Sequence, residues 1–399
     1  MTYRSVSERL ADIPRVRDTI MQAARAARGE GDARQMTHSW LFTGPPGAGR
    51  STTALAFAAA LVCTDPSEPG CGRCKGCLDA FADTHTDIEH IVPRGLRISA
   101  EVVRAVVHQA ARMPTVGPWR VIIVDDADRL TVAAADSFLK TVEEPPARTI
   151  IIMSAPSTDP KEFSQTLRSR CRHLYIPAPS QREIVRILTE EEGASLDDAE
   201  LAAATSLRHI GRARLLVKNT AVQQRRAQAI NVAELIFHGD QAFQAVGSLI
   251  KAAEKEAVEA HAEADQRERD KLSQAVGVGA RGKGAARALR GGEASLKSLE
   301  SEQKARGTRR KRDVLDLTLV DLAGVYRDAM VQASGAEIPL THPDFAPLSA
   351  EIAERVSLEG LVACQDAIAT CRESLDFNVA PLVAFNGMIG RIRKACNVV

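Results

Sequence analysis

The sequence predicts an α/β domain followed by an all-α region: a parallel sheet carrying a phosphate loop, a small helical lid, and a helical C-terminal domain. Three observations predict it. Strand-like and helix-like segments alternate from residue 38 to 155; a glycine-rich turn, "GPPGAG", separates the first strand from the first helix; and strand signals vanish beyond residue 176. Alternation of this kind implies a parallel sheet covered on both faces, with its ligand site at the carboxyl ends of the strands. The expected limits are 1–176 for the sheet domain, 177–218 for the lid and 219–399 for the helical domain.

Each element has its own local reason. "HSWLFTG" is a short apolar run bounded by polar residues and glycine, and so a buried strand, while the alanine-rich "STTALAFAAALVC" is a helix. "TDIEHIVP" reads as the second strand, and "SAEVVRAVVHQAARM" as a helix with Ser99 as its N-cap. "WRVIIVDDAD" is the third strand. "TVAAADSFLKTVEEPP" is a helix stopped by Pro145 and Pro146, and "RTIIIMSAP" is the fourth strand. Residues 219–399 read as helical throughout. Within them, Lys251 to Asp313 is densely charged and without an aromatic residue, broken by the glycine-rich "VGVGARGKGAARALRGG". That stretch reads as two exposed helices joined by a flexible, basic tip. It is either a solvated hairpin or a contact for DNA phosphates through Arg281, Lys283, Arg287 and Arg290.

Composition narrows the function classes. The 399 residues are 45% hydrophobic, ample for packed cores. No apolar run suits a membrane span or a secretory signal, so a cytoplasmic protein with no membrane partner is expected. Lys and Arg number 52 against 51 Asp and Glu, so no global field draws the chain onto nucleic acid. This speaks against a stand-alone zinc and DNA-binding module.

Gly44, Gly49, Arg50 and Ser51 fill the frame G-x4-G-K-[ST] except at the lysine. In such a loop backbone N–H groups surround phosphate oxygens, the lysine reaches the terminal phosphates and the hydroxyl binds Mg²⁺. Gly44, Gly47, Gly49, Arg50, Ser51 and Thr52 are the candidate nucleotide contacts. "RVIIVDDADRL" ends a strand on paired acids: Asp125 would hold magnesium, and Asp126 would take the place of the acid that activates water. Asp126 is one methylene shorter than the usual glutamate. Arg50 presents a planar guanidinium, bulkier than a compact ammonium. Both departures point to weak or absent hydrolysis of ATP/Mg²⁺.

Cys63, Cys71, Cys74 and Cys77 form C-x7-C-x2-C-x2-C, spaced by Gly70, Gly72 and Gly76. Two-residue gaps turn neighbouring thiolates toward one ion, and four of them make a closed tetrahedral site suited to a structural Zn²⁺. An iron–sulfur cluster is the competing occupant. The other four, Cys171, Cys364, Cys371 and Cys396, are scattered and read as packed residues.

Taken together, "GPPGAGRS", the four-cysteine insert, "VDDADRLTVAAADSFLKTVEEPP" and "LRSRC" resemble the bacterial clamp-loader subunits of DNA polymerase III, strongly over residues 5 to 218. The resemblance implies an AAA+ fold with an inserted zinc module at 63–77 and a helical collar. It also implies a hetero-oligomer with gamma/tau and delta subunits, acting on a sliding clamp and primer-template DNA. In Ser169-Arg170-Cys171 it makes Arg170 an arginine finger reaching a neighbour's ATP. It also marks "SAPSTDP" as sensor 1, with Ser157 or Thr158 near a γ-phosphate, and "HIGRAR" as sensor 2, with Arg212. The family's hydrolysing members keep the loop lysine and an aspartate-glutamate pair. This chain is more similar to those that have lost both while keeping zinc and the finger. The alternative is a hydrolysing subunit in which Arg50 does the lysine's work.

Overall fold

The computed structural model describes residues 4–93, 95–276, 285–377 and 379–398, with the side chains of 275, 276, 285–294 and 376 left aside. Two units divide the chain: Met1–Ala199 with Arg208–Arg214, and Glu200–Leu207 with Leu215–Val399. The stretch expected as a lid, 177–218, is shared between them.

The first unit holds helices α1 (Val6–Arg9), α2 (Pro14–Ala27), α3 (Arg50–Val62), α4 (Lys75–Phe81), α5 (Ala100–Ala110), α6 (Val132–Glu143), α7 (Gln165–Arg168) and α8 (Gln181–Glu190). Its strands are β1 (Ser39–Thr43), β2 (Ile88–Ile91), β3 (Arg120–Val124), β4 (Thr149–Ala155) and β5 (Arg172–Tyr175). They form one parallel sheet in the order β2-β3-β4-β1-β5. Every residue of β1, β3 and β4 is buried, as a parallel sheet covered on both faces requires.

The two faces separate by residue parity. Trp40, Phe42, Val121, Ile123, Ile150 and Ile152 pack with Phe57 and the alanines of α3. Leu41, Ile122, Val124, Ile151 and Met153 meet Val103 and Val106 of α5 and Phe138 of α6. The rings of Trp40 and Phe57 stand edge to face at 5.1 Å, which fixes α3 against β1 and so fixes the turn between them. The sheet strands and helix caps follow the sequence expectation, Ser99 accepting from the Val102 amide included. Five elements were not expected: α2, α7, α4 inside the cysteine segment, the edge strand β5, and α1, whose Ser5 and Glu8 form a reciprocal capping box.

Beyond α8 come α9 (Leu196–Thr205) and α10 (Ile210–Lys218), both shared between the units, then α11 (Thr220–Leu235), α12 (Gln241–Glu259) and α13 (Ala262–Val276). The second unit continues with α14 (Ala285–Ser334), α15 (Ala346–Arg355), α16 (Leu358–Asp376) and α17 (Pro381–Ala395). Its core gathers Leu315, Leu319, Tyr326, Leu361, Phe385 and Ile389. The helical run is interrupted at 335–345, where buried Asp328 accepts the amides of Thr341 and His342 at 2.8 and 2.7 Å.

In the charged stretch, α12 and α13 lie along α14, stitched by Arg306 to Asp265 and Glu268, Arg310 to Glu256, and Lys311 to Glu254. Arg281 and Lys283 lie outside the described residues, and at Arg287 and Arg290 only the helical backbone is described. Among the described residues no helix is long and apolar enough to cross a membrane.

Candidate functional site

The glycine loop joins the carboxyl end of β1 to the start of α3, as expected of a phosphate loop. Gly49 is left-handed at φ 82° and precedes the first helical residue, Arg50. Two further glycines are demanded by close approach. A Cβ on Gly44 would lie 2.1 Å from the Ile176 carbonyl oxygen, and one on Gly47, itself at φ 79°, would lie 2.2 Å from Cγ of His209. The imidazole of His209 therefore sits directly on the loop. Burial, together with the charges of Arg212 and Arg50, pushes this histidine below its ordinary value.

Arg50 turns back into the loop. Its Nη1 donates to the Gly44 carbonyl oxygen at 2.8 Å, and its Nη2 lies 3.8 Å from Oδ1 of Asp126. The two positions that depart from the hydrolytic pattern thus face each other. The planar fork of the guanidinium reaches both through its two amino groups. Asp126 is held in the left-handed region at φ 46°, where it also faces Arg129 at 3.7 Å.

Asp125 ends β3 and is buried. Its Oδ2 lies 2.9 Å from Nε2 of His90 on β2, and its Oδ1 accepts from the Ser154 hydroxyl on β4 at 2.8 Å. The other nitrogen of His90, Nδ1, meets Oδ2 of Asp83 at 2.7 Å. Burial alone would raise Asp125, but His90, Ser51 and Ser154 outweigh it and bring the carboxyl below its usual range. Burial would lower His90, yet the two carboxylates that flank it raise it. Asp125 and Ser51 keep the donor set that magnesium needs, and a histidine shares one of the carboxylate oxygens.

The two sensor positions are placed differently. Ser157, in the loop after β4, gives its hydroxyl to Oε2 of Glu162 at 2.5 Å and accepts from the Asp159 amide. Thr158, beside it, is half-buried and lends its carbonyl to the Gln165 amide group. Ser154, three residues earlier, is the β4 hydroxyl that reaches Asp125. Arg212 is buried at the start of α10, its amide donating to Nδ1 of His209 at 3.2 Å. Gly49 and Thr52 border a cleft of about 130 Å³, lined also by Leu10, Ile13, Ile187 and Ile210. That is well under the ~300–1,000 Å³ usual for small-molecule sites.

Arg170 stands elsewhere. Helix α6, about 18 Å long for twelve residues at 1.5 Å each, begins six residues after Asp126 and carries Glu143 as its last residue. There the Glu143 carboxylate takes Nε of Arg170, while Nη1 donates to the Thr166 carbonyl at 2.8 Å and to the Ser169 hydroxyl at 3.1 Å. Cys171 is packed against the α6 side of the core, where burial pushes its thiol up to about 12. Cysteine inward, serine as prop and arginine outward is what the Ser-Arg-Cys triplet builds.

The four clustered cysteines converge: their sulfurs all lie within 4.8 Å of one another, and Cys63 and Cys74 are 3.8 Å apart. Four thiolates around a zinc at ~2.3 Å would stand about 3.8 Å from each other, so the set fits a tetrahedral ion. The Cys71 amide points at the Cys63 sulfur, that of Cys74 at Cys71, and that of Cys77 at Cys74. Such donors suit anionic sulfur. Cys364, Cys371 and Cys396 are buried in the second unit.

Sequence reasoning did not find His90, Ser154, His209 or Glu143. The first two are reached only through strand register, since β2 pairs with β3 and β3 with β4 at the ends that carry Asp125. Nothing local marks them.

A strand, a glycine loop, a helix and paired acids after β3, one strand removed from β1 across β4 in the same parallel sheet, make the arrangement of a P-loop domain. Residues 22–180 match the family described as DNA polymerase III, delta subunit. Among curated proteins, the delta' subunit of Escherichia coli is 36% identical over 42% of this chain and 50% of its own length. The delta' subunit of Pseudomonas aeruginosa is 30% identical over 50% of this chain and 61% of its own. The gamma/tau subunit of Mycobacterium tuberculosis is 31% identical over 42% of this chain and 30% of its own. The matches thus span less than two thirds of each of these relatives. A solved gamma subunit-related protein of Thermotoga maritima aligns over 94% of this chain and 99% of its own, at 14% identity and a TM-score of 0.40. Over residues 22–180 the chain is therefore similar to clamp-loader subunits of DNA polymerase III.

Proposed function

We propose that the chain is a clamp-loader subunit of the delta prime type: a largely non-hydrolysing member of a hetero-oligomer with gamma/tau and delta subunits. In this reading Arg170 stabilises charge on the phosphate transferred in a neighbour's ATP site, and so supports placement of a sliding clamp on primer-template DNA. The observation that carries it is the pairing of Arg50 with Asp126 and the Gly44 carbonyl. The phosphate-holding position and the water-activating position face each other, while an arginine remains displayed at the far end of α6. An arginine finger acts in trans by supplying charge to a transition state it does not otherwise bind.

The test is the ATPase of the reconstituted loader carrying Arg170→Ala. A loss of about 10³-fold in turnover is expected, and an unchanged DNA- and clamp-stimulated rate would sink the finger role.

One observation favours the second reading, an ATP-hydrolysing subunit of gamma/tau type: the serine and aspartate of the magnesium-binding motif, Ser51 and Asp125, are both retained, and Ser51 helps to lower the Asp125 carboxyl. Magnesium-dependent turnover by the isolated chain, abolished by Asp125→Ala, would establish it. The four cysteines would hold zinc as a structural ion in either case, since the protein fills every coordination position.

A further inference from the structure

We propose that Glu143 is a positioning residue for Arg170, setting the plane of the guanidinium so that one edge is presented to a ligand. The proposal rests on the finger reading above.

An arginine on a surface turn is ordinarily free to sweep several rotamers, and ordering such a side chain costs roughly 1.5–2 kcal/mol of lost rotamer freedom. Here that ordering is done in advance. Glu143 takes Nε, and Nη1 is shared between the Thr166 carbonyl and the Ser169 hydroxyl. These contacts lie on two edges of a planar group and fix its orientation as well as its place. The third edge, at Nη2, has no partner among the described residues, and the side chain is a third exposed. An anion approaching from outside would therefore meet a donor already aimed.

The supports of this arrangement are themselves anchored. Glu143 is the last residue of α6, whose Phe138 and Val142 are buried in the core that also receives Leu167 and Cys171 from around α7. Glu143 also has a chemical reason to be a carboxylate. Nε–H is a single donor directed sideways from the side chain, and an anionic acceptor gives a bond about twice as strong as a neutral one.

The experiment uses the assembled loader, comparing wild type with Glu143→Ala, Glu143→Gln, Arg170→Ala and the Arg170→Ala/Glu143→Ala double variant. It reads the neighbour's kcat and KM for ATP. We expect Glu143→Ala to lower kcat about tenfold with KM within about twofold. Glu143→Gln, which keeps an oxygen acceptor at the same reach, should restore kcat to within about threefold of wild type. The double variant should be no worse than Arg170→Ala alone.

If Arg170→Ala is deleterious while Glu143→Ala leaves kcat unchanged, the positioning role is wrong and the finger reading stands. If Arg170→Ala itself has no effect, the finger reading fails and takes this inference with it. A fully additive double variant also overturns the proposal, because it would show Glu143 acting by another route. Entry into the loader is scored by gel filtration. Should Glu143→Ala fail to assemble, Glu143→Asp keeps the charge one methylene short and must still lower kcat.

Discussion

Nε2 of His90 lies 2.9 Å from Oδ2 of Asp125, the carboxylate proposed to hold magnesium, with Asp83 on the imidazole's other side. A histidine held between two carboxylates supplies locally what a divalent ion would otherwise supply. Mg²⁺ must break this contact to use that oxygen. Thermal denaturation with ATP should therefore show little added stabilisation from Mg²⁺ in the wild type, and clear added stabilisation in His90→Leu. Identical magnesium responses in the two proteins would refute the competition.

The contact of Arg50 with Gly44 and Asp126 makes a two-stage prediction. Arg50→Lys withdraws the guanidinium from the loop carbonyl, so nucleotide affinity should rise severalfold by fluorescence titration. Turnover should remain undetectable until Asp126→Glu is added, because a single aspartate still places its oxygens one methylene short. Measurable turnover in Arg50→Lys alone would show that the arginine was the sole barrier.

At Gly47 the strain has two separable parts. Gly47→Ala places a Cβ against His209 and forces a left-handed alanine, the latter costing about 1–2 kcal/mol by itself. The thermal midpoint should fall, and adding His209→Ala should recover part of the loss but never all of it. Full recovery would mean the backbone conformation costs nothing there.

Asp87 provides the pH dependence. It is fully buried and accepts from Thr115 N and Oγ1 at 2.7 and 2.9 Å, and from the amides of Val116 and Gly117, both at 2.7 Å. Burial would raise its pKa, but these amide bonds outweigh burial and lower it. A lowered carboxyl contributes stability in full above the unfolded value of about 3.9, lost as pH falls through the folded value. Wild type should thus lose stability progressively in acid below about pH 4, and Asp87→Asn should be less stable by about 3 kcal/mol at neutral pH with a flatter acid limb. Parallel acid limbs for the two proteins would discount Asp87 as a source of the slope.

For the cysteine cluster, elemental analysis should find about one zinc per chain, and chelation should expose residues 63–77 to proteolysis. Iron in place of zinc would assign the site to a cluster instead.

The sheet was legible because buried parallel strands are short apolar runs between strong punctuation: Gly44 after "SWLFT", Asp125 after "RVIIV", Pro145 and Pro146 before "TIIIMSA". Residues that recur at fixed spacing, the glycines and cysteines, were also legible, since their chemistry is local. What the sequence hid is carried across strands. Ser157 was singled out by motif position, yet the hydroxyl that reaches Asp125 is that of Ser154, decided by which residue of β4 lies beside the end of β3. His209 meets Gly47 across 162 residues of chain, and Glu143 meets Arg170 across 27 residues that include β4 and α7. No periodicity reports such pairs. Helix α4 escaped because its run "KGCLDAF" carries two residues, Gly76 and Cys77, that local propensity disfavours; Cys74 caps it with a sulfur in place of the usual oxygen.

The amide of Val6 donates to the Gly70 carbonyl at 2.8 Å, and Gly72 leaves no room for a side chain against the Arg4 carbonyl. Residues 4–10 therefore have no seat until the turn at 70–72 has been made. At about 5–20 residues per second, several seconds of synthesis separate the two. During that interval Val6 and Leu10, both buried in the finished protein, travel bare. The segment translated first must wait for the cysteine turn behind it, and its docking reports that this turn has closed.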